Sequence, residues 1–321
     1  MNHALVNRLA RKAAALVRRV ALAPAQWRLE RSGSAERLHY EQLAAQCATR
    51  YARIRTHDTG ETTGLWRDFN ERLERSLLPR PPWDFLRDPV ISATMVMTKG
   101  GANLAAELAA LRAFWPPETL RTMVRENALG SPRLANAELL TSHNSIHHAH
   151  HIARFLQATS VRPDTIGTVV EWGGGYGNLA KLWRRMKGCA PTWVIIDTPV
   201  LAVVQWLYLA AILGEDTVRL MEHSDTTLLH GGITIIPLQF VKAVPPTADL
   251  FVSTWAISES PRELQDMVVE RSWFGARHLL LGYQDSNAHL PNAGRIGALA
   301  ASVGATIEDL PALPGQHYAF R

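Results

Sequence analysis

"TVVEWGGGYGNLAKLW" (residues 168–183) decides the reading of this chain. Thr168, Val169 and Val170 begin an apolar, β-branched run, which predicts a buried strand. Glu171 stands at its end, and Gly173, Gly174, Gly175 and Gly177 follow before a helix-like segment opens at Asn178. Glycines let the backbone turn sharply and approach a ligand closely. A phosphate-binding loop needs Gly-Lys-Ser/Thr at its end, and "GGGYGN" lacks it; Lys181 comes too late. A dinucleotide fingerprint is G-x-G-x-x-G, whereas Gly173, Gly175 and Gly177 give G-x-G-x-G. An acid beside the loop disfavours a pyrophosphate and favours a ligand with a cationic amino group.

Around this loop, strands and helices alternate. "TIGTVVEW", "TWVIID", "GITIIPL", "ADLFVST" and "RHLLLGY" read as five strands. "GNLAKLWRRMKG", "VLAVVQWLYLAAILG" and "PRELQDMVVERSWF" read as helices. Such βα units predict a parallel sheet covered on both faces. "HYAFR" (317–321) is expected as a final edge strand. The stretch 33–140 reads as mostly helical, broken at "RPPWDF" and "KGGAN" and stopped at Pro116 and Pro117, with "ALGSPRLAN" as a loop. The expected organisation is a basic helix over 1–32, a helical region over 33–140, and an α/β Rossmann-like domain over 141–321.

Composition narrows the function. Hydrophobic residues make up 47% and charged residues 20% of 321, which is ordinary for a soluble domain. The two cysteines, Cys47 and Cys189, are far apart, which excludes a disulfide framework and fits a reducing cytoplasm. No signal peptide is visible. The net charge of +5 is uneven: residues 1–32 hold seven Arg or Lys against one acid, Glu30. The rest of the chain is close to neutral, so a general nucleic-acid role is not expected. On a helical wheel Leu5, Leu9, Ala13, Leu16 and Val20 share a face, with Arg8, Lys12 and Arg19 at its flank. Such a helix packs on its own domain, or docks on an anionic membrane surface or a glycan-assembly partner. Pro24 is expected to end it.

Asp197 closes the second strand, 26 residues after Glu171, where an acid suits ribose hydroxyls. Together with the "ADLFVST" strand, this pattern resembles the Rossmann-like methyltransferases that use S-adenosylmethionine. "ENALGSPRL", "TSHNSIHHAHHIARF", "VVEWGGGYGNLAKLW" and "FVSTWAISES" look more specifically like bacterial sugar O-methyltransferases, over about residues 60–321. The resemblance implies methyl transfer to a sugar hydroxyl of a glycan. It implies a donor site of Glu171, Gly173, Gly175, Gly177, Asp197, Leu238, Gln239 and Ser253. The rival readings are a dinucleotide oxidoreductase and a silent donor-binding scaffold.

Two segments supply base candidates. "SHNSIHHAHHI" (142–152) places His143, His147 and His151 on one helical face. It lacks H-E-x-x-H, and no metal is assigned, although a divalent cation is compatible with the fold. Asn144, His147 and His148 are candidates to touch ligand, and either histidine suits proton removal from a hydroxyl. Glu259, after the fourth strand, is the alternative base. Trp255 is expected to stack on the adenine or a sugar face, and Asp285 and Asn287 to hydrogen-bond the acceptor.

Overall fold

The computed structural model describes residues 20–55, 62–96, 104–245, 247–310 and 313–321. The N-terminal amphipathic segment 1–19 and the "KGGAN" break lie outside them. Two strands, β1 (Leu134–Asn136) and β2 (Thr141–Ser142), form a small antiparallel ribbon. The other eight make one sheet: β3 (Thr168–Trp172), β4 (Thr192–Asp197), β5 (Val218–Leu220), β6 (Ile233–Pro237), β7 (Leu250–Thr254), β8 (His278–Gln284), β9 (Thr306–Asp309) and β10 (Gln316–Phe320). Their spatial order is β5-β6-β4-β3-β7-β8-β10-β9. The chain runs outward from β3 on one side and returns to β7 on the other. The order therefore reverses between β3 and β7. In open α/β sheets the crevice beyond the strand C-termini at that reversal is the ligand site.

All pairings from β5 through β8 are parallel, and β10 runs antiparallel to both β8 and β9. "HYAFR" is thus not an edge strand. It is inserted between two others, with Tyr318, Ala319 and Phe320 buried, and β9 forms the edge. The short edge strand β5, with a half-buried Arg219 between two buried apolar residues, escaped the sequence reading; three residues are too few for a periodic signal.

Strand alternation sends neighbouring residues to opposite cores. Val169 and Ile195 join one cluster, while Val170, Val194 and Ile196 join the other. The first cluster also takes in the N-terminal helices. Tyr40, Leu43, Ala44 and Cys47, then Leu73 and Leu77, share it with the helix Pro199–Leu213. That helix is apolar all round because it is buried all round: the sheet lies on one side and the N-terminal helices on the other. The helical region is therefore packed on the sheet domain through a common core.

The described helix over 20–32 runs through Pro24, against the expectation of a stop. Proline lacks the N–H that would bond the carbonyl four residues before it, so the helix carries on through Pro24 with one bond missing. Ala25 and Leu29 seat this helix against Ala128 and Leu134, while Trp27 stays exposed with Arg31 stacked on its ring. Among the described residues, no helix is long and apolar enough to cross a membrane.

Candidate functional site

A cavity of about 510 Å³ opens at the C-terminal ends of the central strands. The loop after β3 supplies Gly173–Tyr176, β4 ends in it with Asp197, and Leu238 follows β6. Thr254 and Trp255 reach it from β7, and Gln284 from β8. The helical region closes the top with Thr62, Thr63, Trp66 and residues 93–96. Asn144, His147 and His148 enter from the helix His143–Thr159. Ser142 starts that helix by accepting the Ser145 N–H on its hydroxyl, at 3.1 Å.

The glycine loop requires glycine at Gly173. Its φ is +73°, and a Cβ there would stand 2.0 Å from the Cβ of Ala256. Gly175, at φ +59°, faces open space, where a Cβ would meet only Met95 at 3.8 Å. The loop is tied down from below. Gln205 donates to the Gly175 carbonyl at 2.9 Å and to Asp197 Oδ2 at 2.6 Å.

Both strand-end acids are buried. Trp193 Nε1 donates to Glu171 Oε2 at 2.8 Å. Burial pushes the Glu171 carboxyl up to about 8; the Trp193 bond works against this, and the nearby Asp197 adds to it. Burial likewise pushes Asp197 up to about 7, against the bonds from Thr198, Gln205 and the Gly174 and Gly175 amides. The two acids flank the glycine loop without a Lys or Arg partner among the described residues that line the cavity.

His147 has a defined orientation. Its Nδ1 lies 2.7 Å from Glu107 Oε1, and its Nε2 is buried without a protein partner. Burial raises the Glu107 carboxyl. The His147 hydrogen bond and the neighbouring histidines outweigh that, so it lies below the usual carboxylate range. An ionised Glu107 accepts from Nδ1–H, which leaves the Nε2 lone pair of a neutral His147 free to take a proton. The ring is held further by His151, 4.2 Å away edge-on, and by Trp255, stacked at 6.1 Å. Trp255 has φ +72°, a strained value for a bulky side chain, and its ring lies against Gly282, where a Cβ would come within 3.3 Å. Its indole N–H is bonded to Gln316.

His148 differs from its neighbour. It meets Asn178 at 3.1 Å, and burial drives its pKa down to about 3, with the nearby Lys181 ammonium adding to the drop and Glu126 opposing it. Burial that disfavours its charged form makes it a poor proton acceptor. Behind it, Lys181 is fully buried. Lys181 donates to Glu126 at 3.0 Å and to Tyr208 at 3.2 Å, and Glu126 also accepts from Ser142 and Ser145.

Several positions expected in the site lie elsewhere. Gly177, at φ +87°, is the turn into the helix Asn178–Arg184, and a Cβ there would strike Leu209 at 2.7 Å. Gln239 points back to the helical region and donates to the Ile54 carbonyl. Ser253 is buried, bonding the Trp172 carbonyl and capping Ile257 N–H. Asp285 is exposed and pairs with His317, and Asn287 closes a turn by accepting from His289 and Leu290. None of these five lines the cavity. Glu171, Gly173, Gly175, Asp197, Leu238, Asn144, His147, His148, Trp255 and Glu259 all do. Missed by sequence reading were Glu107, Trp66 and the Lys181–Glu126 pair.

No protein-family model matches the chain, and no curated protein sequence matches it. Among solved structures, the fibrillarin of Aeropyrum pernix, titled as a complex with natively bound S-adenosyl-L-methionine, is 12% identical, with a TM-score of 0.35. That match covers 53% of this chain and 73% of the fibrillarin. The mitomycin 7-O-methyltransferase MmcR is 15% identical over 98% of both chains, with a TM-score of 0.36. The pyocyanin biosynthetic protein PhzM is 13% identical over 59% of this chain and 58% of its own, also with a TM-score of 0.36.

Among the described residues, no group of three or more His, Cys, Asp or Glu is arranged to hold a metal. Within the helix His143–Thr159, His147, His148 and His151 make ring contacts and hydrogen bonds. His151 bonds the Tyr318 hydroxyl at 2.6 Å.

Proposed function

We propose that this chain is an S-adenosylmethionine-dependent O-methyltransferase acting on a sugar hydroxyl. The observation that carries this reading is the pair of buried acids, Glu171 and Asp197, on either side of a glycine loop at the sheet's reversal point. The residues present fit the donor. Glu171 would face its cationic amino end, Asp197 would accept from its ribose hydroxyls, Gly173 and Gly175 would allow its close approach, and Leu238 would flank the adenine. A nicotinamide dinucleotide fits less well, because its pyrophosphate brings negative charge to a site that offers two buried carboxyls and, among the described lining residues, no Lys or Arg.

When bound, the donor supplies an electrophilic methyl carbon, and transfer to a hydroxyl oxygen releases one proton. The chain's own residues orient the acceptor and take that proton. A hydroxyl oxygen held in line with the methyl group reacts chiefly through proximity and orientation. Glu107 fixes the His147 tautomer, and Nε2 of His147 receives the proton as the oxygen attacks. Trp255, stacked on His147, adds apolar indole surface to the cavity lining that the acceptor meets.

Asp197→Ala tests the donor site. It removes an acceptor for two hydroxyls, each bond to a charged group being worth about 1.5–3 kcal/mol. Calorimetry should show affinity for S-adenosylmethionine falling at least about tenfold, with the circular dichroism spectrum retained. Unchanged affinity would remove Asp197 from the site.

A second expectation concerns protons. At pH 7 the Glu171 carboxyl, raised to about 8, holds its proton in the free protein. A cationic donor favours the charged form and drives that proton off. Binding heats measured at pH 7 in phosphate and in Tris should therefore differ, by an amount corresponding to roughly one released proton. Equal heats in the two buffers would show that Glu171 does not ionise on binding.

A further inference from the structure

The acceptor side of the cavity carries a third carboxylate that the mechanism above does not use. Glu259, in the short turn of helix Ala256–Glu259, lines the cavity beside Leu264 and Gln284. Its Oε2 accepts from Trp66 Nε1 at 2.8 Å, and its Oε1 lies 3.5 Å from Gln284 Nε2. Both donors are neutral, and among the described residues no Lys, Arg or His pairs with it. Burial raises its pKa, against those two bonds. Its backbone N–H bonds the Trp255 carbonyl at 3.2 Å, which sets it one turn from the residue stacked on His147. The indole rings of Trp66 and Trp255 also line the cavity.

The charge balance of this cavity is one-sided. The donor brings one net positive charge (an ammonium and a sulfonium against one carboxylate) to Glu171 and Asp197. Glu259 is left without a counter-ion. A largely buried carboxylate is costly unless a cation joins it, and indole faces add favourable contact with a cation.

We propose that the acceptor carries a protonated amine near the hydroxyl that receives the methyl group, as in an amino sugar, and that Glu259 is its counter-ion. This rests on the methyl-transfer reading above. It makes Glu259 a specificity-determining residue, not the base, and it disfavours phosphorylated or nucleotide-linked acceptors.

The test uses full-length protein saturated with S-adenosylhomocysteine, whose binding is established first by calorimetry. D-glucosamine, N-acetyl-D-glucosamine and D-glucose are then titrated separately at pH 7. D-glucosamine should bind at least about tenfold more tightly than either neutral sugar, a ratio equal to about 1.4 kcal/mol. In Glu259→Gln the preference should fall below about threefold. Equal binding of the three sugars by the wild-type protein, binding of none, or a preference that survives in Glu259→Gln each overturns the proposal. The wild-type ratio decides the matter alone if Glu259→Gln does not fold. Failure of S-adenosylhomocysteine itself to bind overturns the methyl-transfer reading and this proposal with it. Binding of S-adenosylhomocysteine without an amine preference overturns this proposal only.

Discussion

His147→Ala is expected to lower turnover by about 10²–10⁴-fold, the usual cost of removing a general base. A sugar hydroxyl barely ionises near neutral pH, so methyl transfer needs a group that takes its proton as the new bond forms. Nε2 of His147 is the group the structure leaves free for this, because Nδ1 is committed to Glu107 at 2.7 Å. Donor affinity should be nearly unchanged, since the base acts on the acceptor. Glu107→Gln should lower turnover less, because the imidazole remains but its orientation and charge stabilisation weaken. His148→Ala serves as the internal comparison, since burial lowers its pKa and makes it a poor proton acceptor. Turnover and S-adenosylhomocysteine affinity, measured side by side for the three variants, give the answer. A His147→Ala enzyme with near-normal turnover would move proton removal to another group.

Lys181→Met is expected to destabilise the fold by about 3–5 kcal/mol, because it strands the Glu126 carboxylate in a dry interior. Lys181 and Glu126 are both essentially inaccessible to solvent. Burial pulls the Lys181 ammonium down to about 8, and Glu126 partly holds it up. The double variant Lys181→Met/Glu126→Gln should recover much of the loss, since it removes both charges together. Urea unfolding of the two single variants and the double variant measures this as a cycle. Strict additivity would show that the two residues do not act as a pair. The stakes extend to the site. Ser145, which bonds Glu126, also contacts Asn178, and Asn178 contacts His148.

How much of this was legible in the sequence follows from the range of each interaction. The glycine loop, Glu171 and Asp197 were readable because a strand, a turn and a strand-end acid are local patterns. The five central strands were readable for the same reason. Which strand-end residues face the cavity was not. Leu238 faces the ligand crevice while its neighbour Gln239 turns to Ile54. Ser253 points into the sheet's own packing, and Thr254 and Trp255 after it line the crevice. Leu238 and Gln239 lie in the helical turn Leu238–Ala243 after β6, and Trp255 lies just past the end of β7, where strand periodicity no longer decides which way a side chain points. The choice between His147 and His148 was equally hidden. It depends on Glu107, placed 40 residues earlier in an alanine-rich helix where an acid reads as solvated. In sequence Lys181 figures only as a phosphate-loop lysine that comes too late, and the three-dimensional packing shows it fully buried. "HYAFR" went to the interior because its place depends on β9, a strand whose burial pattern is mostly exposed and carries no apolar alternation.

The most direct test of the account is an equilibrium titration of the wild-type protein with S-adenosylhomocysteine and, separately, with NAD. One S-adenosylhomocysteine per chain, displaced by S-adenosylmethionine, with no detectable NAD binding, is the predicted result. Binding of NAD in place of S-adenosylhomocysteine would contradict it.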